Sequence, residues 1–196
     1  MVSTFSDFDW LTAQYEWVEN GLFVAYVTDT DPPTVIDSLC TRLDGEAIGL
    51  DGLNERYWDE FSVIGATQIG EVTLAIAPGT NVTNDELRIL SAGRRVVMHS
   101  KSVNADCHFS VWDDGTEVVS FDPLLRTSFT GDGAIPEQWR IRLRDVGIDP
   151  DGTGPMQDGR FHVLEASFAL AANYLSHTIT DDQISHATFL CGIGRN

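Results

Sequence analysis

Asp149 and Asp151, in the stretch "DPDGTGPMQDGR", stand one residue apart, the spacing of the first two ligands of a calcium loop. Such a loop offers oxygens from positions 1, 3 and 5, turns on a glycine at 6 and clamps the ion with a bidentate glutamate at 12. Counted from Asp149, the fifth residue is Thr153, the sixth is Gly154 and the twelfth is Arg160, a cation where the clamping carboxylate belongs. Asp158 comes two positions early and Pro155 interrupts the loop. The stretch therefore reads as two glycine-rich acidic turns joining two helices, and no metal is assigned to it.

The other chemical groupings are incomplete. Ser91 lies in "LSAG" rather than in the G-x-S-x-G elbow of a nucleophilic serine. Cys107 and His108 are adjacent on a predicted strand, so their side chains point to opposite faces. Asp106, His108 and Ser110 share a face but stand roughly 6.5–7 Å apart along it; a proton relay needs contacts of about 2.6–3.2 Å. A hydrolytic site would have to be assembled from distant residues. His162 and Glu165, three apart on a predicted helix, could face one ion, but a zinc site wants three or four ligands. His99, His177 and His186 are scattered and read as surface or capping histidines. Neither G-x-x-x-x-G-K-[ST] nor G-x-G-x-x-G is present to cradle phosphate. No catalytic residue, cofactor site or metal ligand is assigned.

What remains suits recognition. Trp58 and Trp112 are candidate interface anchors, because buried tryptophans often dominate binding energy. Asp113 and Asp114 follow Trp112 at a hairpin turn. The alternative for Trp112 is a second core, formed if helices cover both sheet faces. The basic clusters are Arg94-Arg95 and the trio Arg140, Arg142 and Arg144. Arg140 and Arg144 lie one helical turn apart, and they either pair with local carboxylates or dock an anion. The candidate partner-binding set is Trp58, Trp112, Asp113, Asp114, Arg140 and Arg144.

These groups sit on an acidic chain. In 196 residues, 30 Asp and Glu face 12 Lys and Arg, a net charge of −18. That field opposes direct binding to nucleic acid or to an anionic membrane, both of which need Lys and Arg against phosphate. It suits solubility, a basic protein partner, or mimicry of nucleic-acid charge. Three widely spaced cysteines do not make a secreted disulfide framework. The first residues carry no leader signature, and the longest apolar run is far short of the ~20 residues of a membrane span. The expected location is the cytoplasm.

The elements that position these residues follow from periodicity. Phe8, Leu11, Tyr15 and Val18 predict a helix over 7–19, and "LFVAYVTD" a strand. Asp31 with two prolines opens a second helix whose apolar face runs through Ile36, Leu39 and Leu43. Residues 44–59 show no clean period and read as an irregular acidic loop. "EFSVIGATQI" and "EVTLAIAP" pair around Gly70, and a short helix is expected in "NDELRILSAG". "RRVVMHSKS", "ADCHFSVWD" and "TEVVSFDP" continue the sheet, the last two joined at Asp114-Gly115, where both residues tolerate positive φ. Helices follow over 135–147 and 160–177, the second apolar on most sides. Thr180 and Gln183 form the capping box of a short helix to about Ala187. "TFLCGI" is either its last turn or a small strand. The expected fold is one α+β domain over 1–196: an antiparallel sheet of about five to six strands with N-terminal helices, sheet-rich over 1–134 and helical over 135–196.

The central third also carries a family resemblance. "LSAGRRVVMHSKSVNADCHFSVWDDGTEVVSFDP" resembles the central signature of an uncharacterised family of acidic proteins from actinobacteria and their phages. "GLFVAYVTDTDPPTVIDSL" and "ALAANYLSHTITDDQISHATFLC" are similar to that family's outer parts. The shared motifs are structural punctuation, so the resemblance implies a common architecture and transfers no functional residue. The expected function is therefore that of a non-enzymatic, cytoplasmic protein-binding protein, an immunity, inhibitor or regulatory factor whose acidic surface meets a basic partner. The alternatives are a DNA-mimicking inhibitor and a hydrolase with a site built from distant residues.

Overall fold

The computed structural model describes residues 2–59, 62–79, 82–131, 134–152 and 158–195. Its strands are β1 (Gly21–Thr28), β2 (Cys40–Ile48), β3 (Val63–Ile69), β4 (Val72–Pro78), β5 (Arg95–Ser102), β6 (Cys107–Asp113), β7 (Thr116–Phe121) and β8 (Thr188–Gly194). Its helices are α1 (Trp10–Gln14), α2 (Pro32–Leu39), α3 (Gly49–Asp59), α4 (Asn84–Leu90), α5 (Glu137–Asp145), α6 (Val163–Leu175) and α7 (Asp181–Ser185). The strands form one sheet in the order β2-β8-β3-β4-β1-β5-β6-β7. Every pairing is antiparallel.

The α+β expectation is met, but the sheet has eight strands rather than five or six. The six expected strands are present, β2 is an addition, and "TFLCGI" takes the strand alternative as β8. The second helix stops at Leu39, not Leu43, because Cys40 turns extended (φ −116°, ψ 159°) and enters β2. β8 lies between β2 and β3, so the C-terminal part is not purely helical. Residues 44–59 are the end of β2 and all of α3 rather than an irregular loop.

The expected single helix over 7–19 is broken into a 3₁₀ turn (Phe5–Phe8), α1 and a second 3₁₀ turn (Glu16–Asn20). Tyr15 leaves the helical region (φ −117°, ψ 65°). Phe8, Leu11, Tyr15 and Val18 are all buried as expected, since this segment wraps over α6.

Alternation along the strands sends two sets of side chains to two cores. Leu22, Val24 and Tyr26 of β1 join α6 on one face, with Phe109 and Val111 of β6. Phe23, Ala25 and Val27 face α2 and α4 on the other, with Val96 and Trp112. The helix α6 is buried on every side from Val163 to Ala172, which fits its nearly continuous apolar sequence. Local signals explain the ends. Asp31 accepts the Thr34 amide at 2.9 Å, with prolines in the first turn of α2. Thr180 and Gln183 cap α7 reciprocally.

A glycine makes the corner between β2 and α3. Gly49 adopts φ 67°, and its amide donates to the Ala187 carbonyl at 2.9 Å. This tight turn folds α3 back against the sheet, where Leu50 and Leu53 are buried. The opposite side of α3 is left facing solvent beside β2.

Candidate functional site

The structure does not gather the six candidate residues into one site. Trp112 is 6 % exposed and lies in the second core, its Nε1 donating to Ser110 Oγ at 3.0 Å. Asp113 pairs with Arg95 at 2.9 Å. Asp114, with φ 46°, accepts the Gly93 amide at 2.9 Å, so it stabilises the hairpin turn.

Arg140 and Arg144 share a face as expected, and that face carries its own anions. Arg144 meets Asp151 at 2.7 Å and Glu137 at 3.0 Å; Arg140 also pairs with both acids and donates to the Phe129 carbonyl. The hydrogen bond from Arg144, reinforced by the charge of Arg140, holds the Asp151 carboxyl below its ordinary pKa. Asp151 is thus engaged by two guanidinium groups, and Asp149 accepts the Asp151 amide at 2.9 Å. Thr153, Gly154 and Pro155 of the calcium-like spacing lie outside the described residues. With Asp151 so engaged, adding calcium is expected to leave the melting temperature unchanged in a thermal scan with and without chelator.

The reactive side chains are quenched by burial. Desolvation pushes the thiols of Cys40 and Cys107 up to about 12 and that of Cys191 to about 11, far from the thiolate a nucleophile needs. His108 is lowered mainly by desolvation and touches Ser120 Oγ at 3.3 Å. His186 is a capping histidine as read, 3.0 Å from the Asp182 carbonyl. His99 is not on the surface: it is fully buried, because two residues on from Val97 it shares the α6-facing side of β5. His162 and Glu165 do face each other, Nδ1 to Oε1 at 3.6 Å. Among the described residues no group of three His, Cys, Asp or Glu side chains is placed to hold a metal ion.

The strongest surface feature is a groove of about 640 Å³ between β2 and α3. Asp51, Glu55 and Asp59 project into it from α3 at helical spacing, and Asp44 and Glu46 from β2. The cation among its described lining residues, Arg56, is already bound: it donates to Asp44 Oδ2 at 2.8 Å and to the carbonyls of Asp44 and Glu46, and Arg42 also pairs with Asp44 at 3.3 Å. Trp58 follows Glu55 by one turn and is 67 % exposed; Ile48 and Leu43 on β2 are also exposed. Of the six candidates, Trp58 is the one carried by an element that lines this groove. Sequence reading missed the groove because it treated both walls as loop, although Leu50 and Leu53 opposite Asp51 and Glu55 form a helical pattern. β2 is an edge strand, yet its charges and two register irregularities blunt it for strand addition. The groove, rather than the open backbone edge, is the candidate site.

No helix among the described residues is long and apolar enough to cross a membrane. The chain belongs to a family of unknown function (DUF6461), whose model matches residues 1–195. No curated protein and no solved structure matches it.

Proposed function

We propose that the protein is a non-enzymatic binding protein of the cytoplasm that captures a basic segment of another protein in the groove between β2 and α3. The observation that carries this reading is the convergence of five carboxylates on one groove, where Arg56 and Arg42 both pair with Asp44 and leave the acids of α3 without a cation among the described residues, beside the exposed indole of Trp58. A lysine- or arginine-rich segment would be drawn in by the net charge of −18 and oriented by the groove's carboxylates. Trp58 supplies the apolar contact that the charges lack, and cations stack favourably on an indole face. Within this reading, an immunity or inhibitor role against a basic toxin or nuclease fits the charge. The motif resemblance supports an actinobacterial or phage setting for it.

The test is affinity capture from source cells, followed by titration of the recovered partner against salt and against variants. Trp58→Ala is expected to weaken binding by about 30-fold, the scale of a loss of about 2 kcal/mol at an interface anchor. Combined Asp51→Asn, Glu55→Gln and Asp59→Asn is expected to slow association and flatten the salt dependence. A partner that binds both variants as tightly as the original protein would refute the groove. Displacement of the partner by duplex DNA would move the assignment to nucleic-acid mimicry.

A further inference from the structure

A second polar arrangement lies apart from the groove, where the end of β5 meets the start of α6. Glu165, in the first turn of α6, is 2 % exposed, and Thr12 Oγ1 donates to its Oε1 at 2.6 Å. His162, immediately before the helix, stacks on Phe5 with ring centroids 4.7 Å apart. Its side chain is 8 % exposed, and Nε2 lies 2.5 Å from Asp158 Oδ2. Its Nδ1 is buried without a hydrogen-bond partner among the described residues, and faces Glu165 Oε1 across 3.6 Å. Both side chains line a cavity of about 280 Å³, together with Lys101, Arg160, Leu124 and Phe161.

The polar groups define what this cavity complements. With Nε2 carrying the proton held by Asp158, Nδ1 presents an unpartnered lone pair beside the buried Glu165 carboxylate, whose charge meets only the neutral Thr12 hydroxyl as a described hydrogen-bond donor. The unpartnered Nδ1 and the buried, uncompensated carboxylate both cost free energy until a charged donor arrives. A cationic donor such as an ammonium answers both. Lys101 does not fill this role, since Glu19 binds its ammonium through a carboxylate oxygen and a carbonyl. Arg160 is exposed and has the opposite sign, so it attracts an anionic group on the same ligand. Leu124 and Phe161 add apolar wall.

We infer that this cavity binds a small zwitterion, an α-amino acid with an apolar side chain, its ammonium between Glu165 and His162 Nδ1 and its carboxylate toward Arg160. The groups facing His162 also set a pH signature. Burial lowers its pKa, but the hydrogen bond to Asp158 and the charges of Glu165 and Asp158 outweigh that and raise it overall. Protonation puts an N–H where the ammonium would sit, so affinity falls as pH drops below the His162 pKa. Phe5 contributes no charge, and Lys101 and Glu19 neutralise each other nearby.

Calorimetry on the full chain with L-leucine, isovalerate and isoamylamine tests this. Leucine is expected to bind, and each single-charge analogue to bind at least tenfold more weakly. Arg160→Ala is expected to weaken leucine at least tenfold while leaving isoamylamine unchanged, and Glu165→Gln to abolish both. Because Glu165 is buried, the surface Arg160 variant and the His162 ring signals in NMR, which should move on leucine addition, give readouts independent of that variant's folding. Unmoved His162 signals, an amine that binds as tightly as leucine, or an unaffected Arg160 variant would each overturn the inference.

Discussion

Replacing His99 by leucine is expected to stabilise the protein and to remove part of its sensitivity to acid. His99 is fully buried on β5 among Tyr26 and Phe168, and neither ring nitrogen has a hydrogen-bond partner among the described residues. A buried polar group without a partner costs about 1–3 kcal/mol, which an apolar side chain of similar size does not incur. Desolvation also depresses the imidazole pKa to about 3. The unfolded chain therefore takes up a proton near pH 6.5 that the native state refuses until far lower pH. In that window the unfolded state binds more protons, so stability rises with pH and is lost as pH falls. This histidine contributes a slope of about 1.4 kcal/mol per pH unit between those two values. Urea titrations at neutral pH and near pH 4.5 should show His99→Leu more stable at both, with the larger gain in acid. A smaller gain in acid than at neutrality would mean that the ring is not held neutral in the core.

Gly49→Ala is expected to be among the most damaging single substitutions in the chain. A Cβ there would stand 2.6 Å from the Ser185 carbonyl oxygen, and the residue holds φ 67°. The backbone conformation alone costs a side chain about 1–2 kcal/mol. The clash with a main-chain atom forces α3 or the end of α7 to move, for a further cost of about 1–3 kcal/mol. Gly93 supplies the control, because its φ is 71° but nothing lies within 4 Å of an added Cβ. Gly93→Ala should therefore show the backbone cost alone, and the difference between the two urea midpoints isolates the contact. Because Gly49 sets α3 against β2, its substitution should also weaken partner binding, whereas Gly93→Ala should not. Equal losses of stability at the two glycines would show that the β2–α3 corner is not fixed by this approach.

Most of the sheet could be read from the residues because its inner strands are fully buried and β-branched, as in "LFVAYV" and "EVTLAIAP". The edge could not. In β2 only Cys40 and Ala47 are buried, while Arg42, Asp44 and Glu46 supply the charge that keeps an open strand from pairing. The same protection erases the alternation by which strands are recognised. In α3 two glycines masked a pattern carried by Leu50 and Leu53. Trp112 turned on tertiary structure alone: its face was predictable, but not that α2 and α4 would cover it. Of the groove, the acidic composition and Trp58 were visible in advance, and the pairing of its walls was not. Alternation in "RRVVMHSKS" already set His99 on the side of Val97, yet only the position of α6 made that side interior.

The position of β8 has a consequence for biosynthesis. β2 comes early in this sequence, but its neighbour in the sheet among the described residues is β8, far along the chain, with Cys40 opposite Gly194 and Ile48 opposite Thr188. Closing so long a loop is slow, because its entropy is lost before any contact rewards it. On the ribosome, one wall of the groove stays without its partner until the segment carrying β8 has emerged. On the proposed function, capture in this groove therefore waits until β8 has emerged and paired with β2.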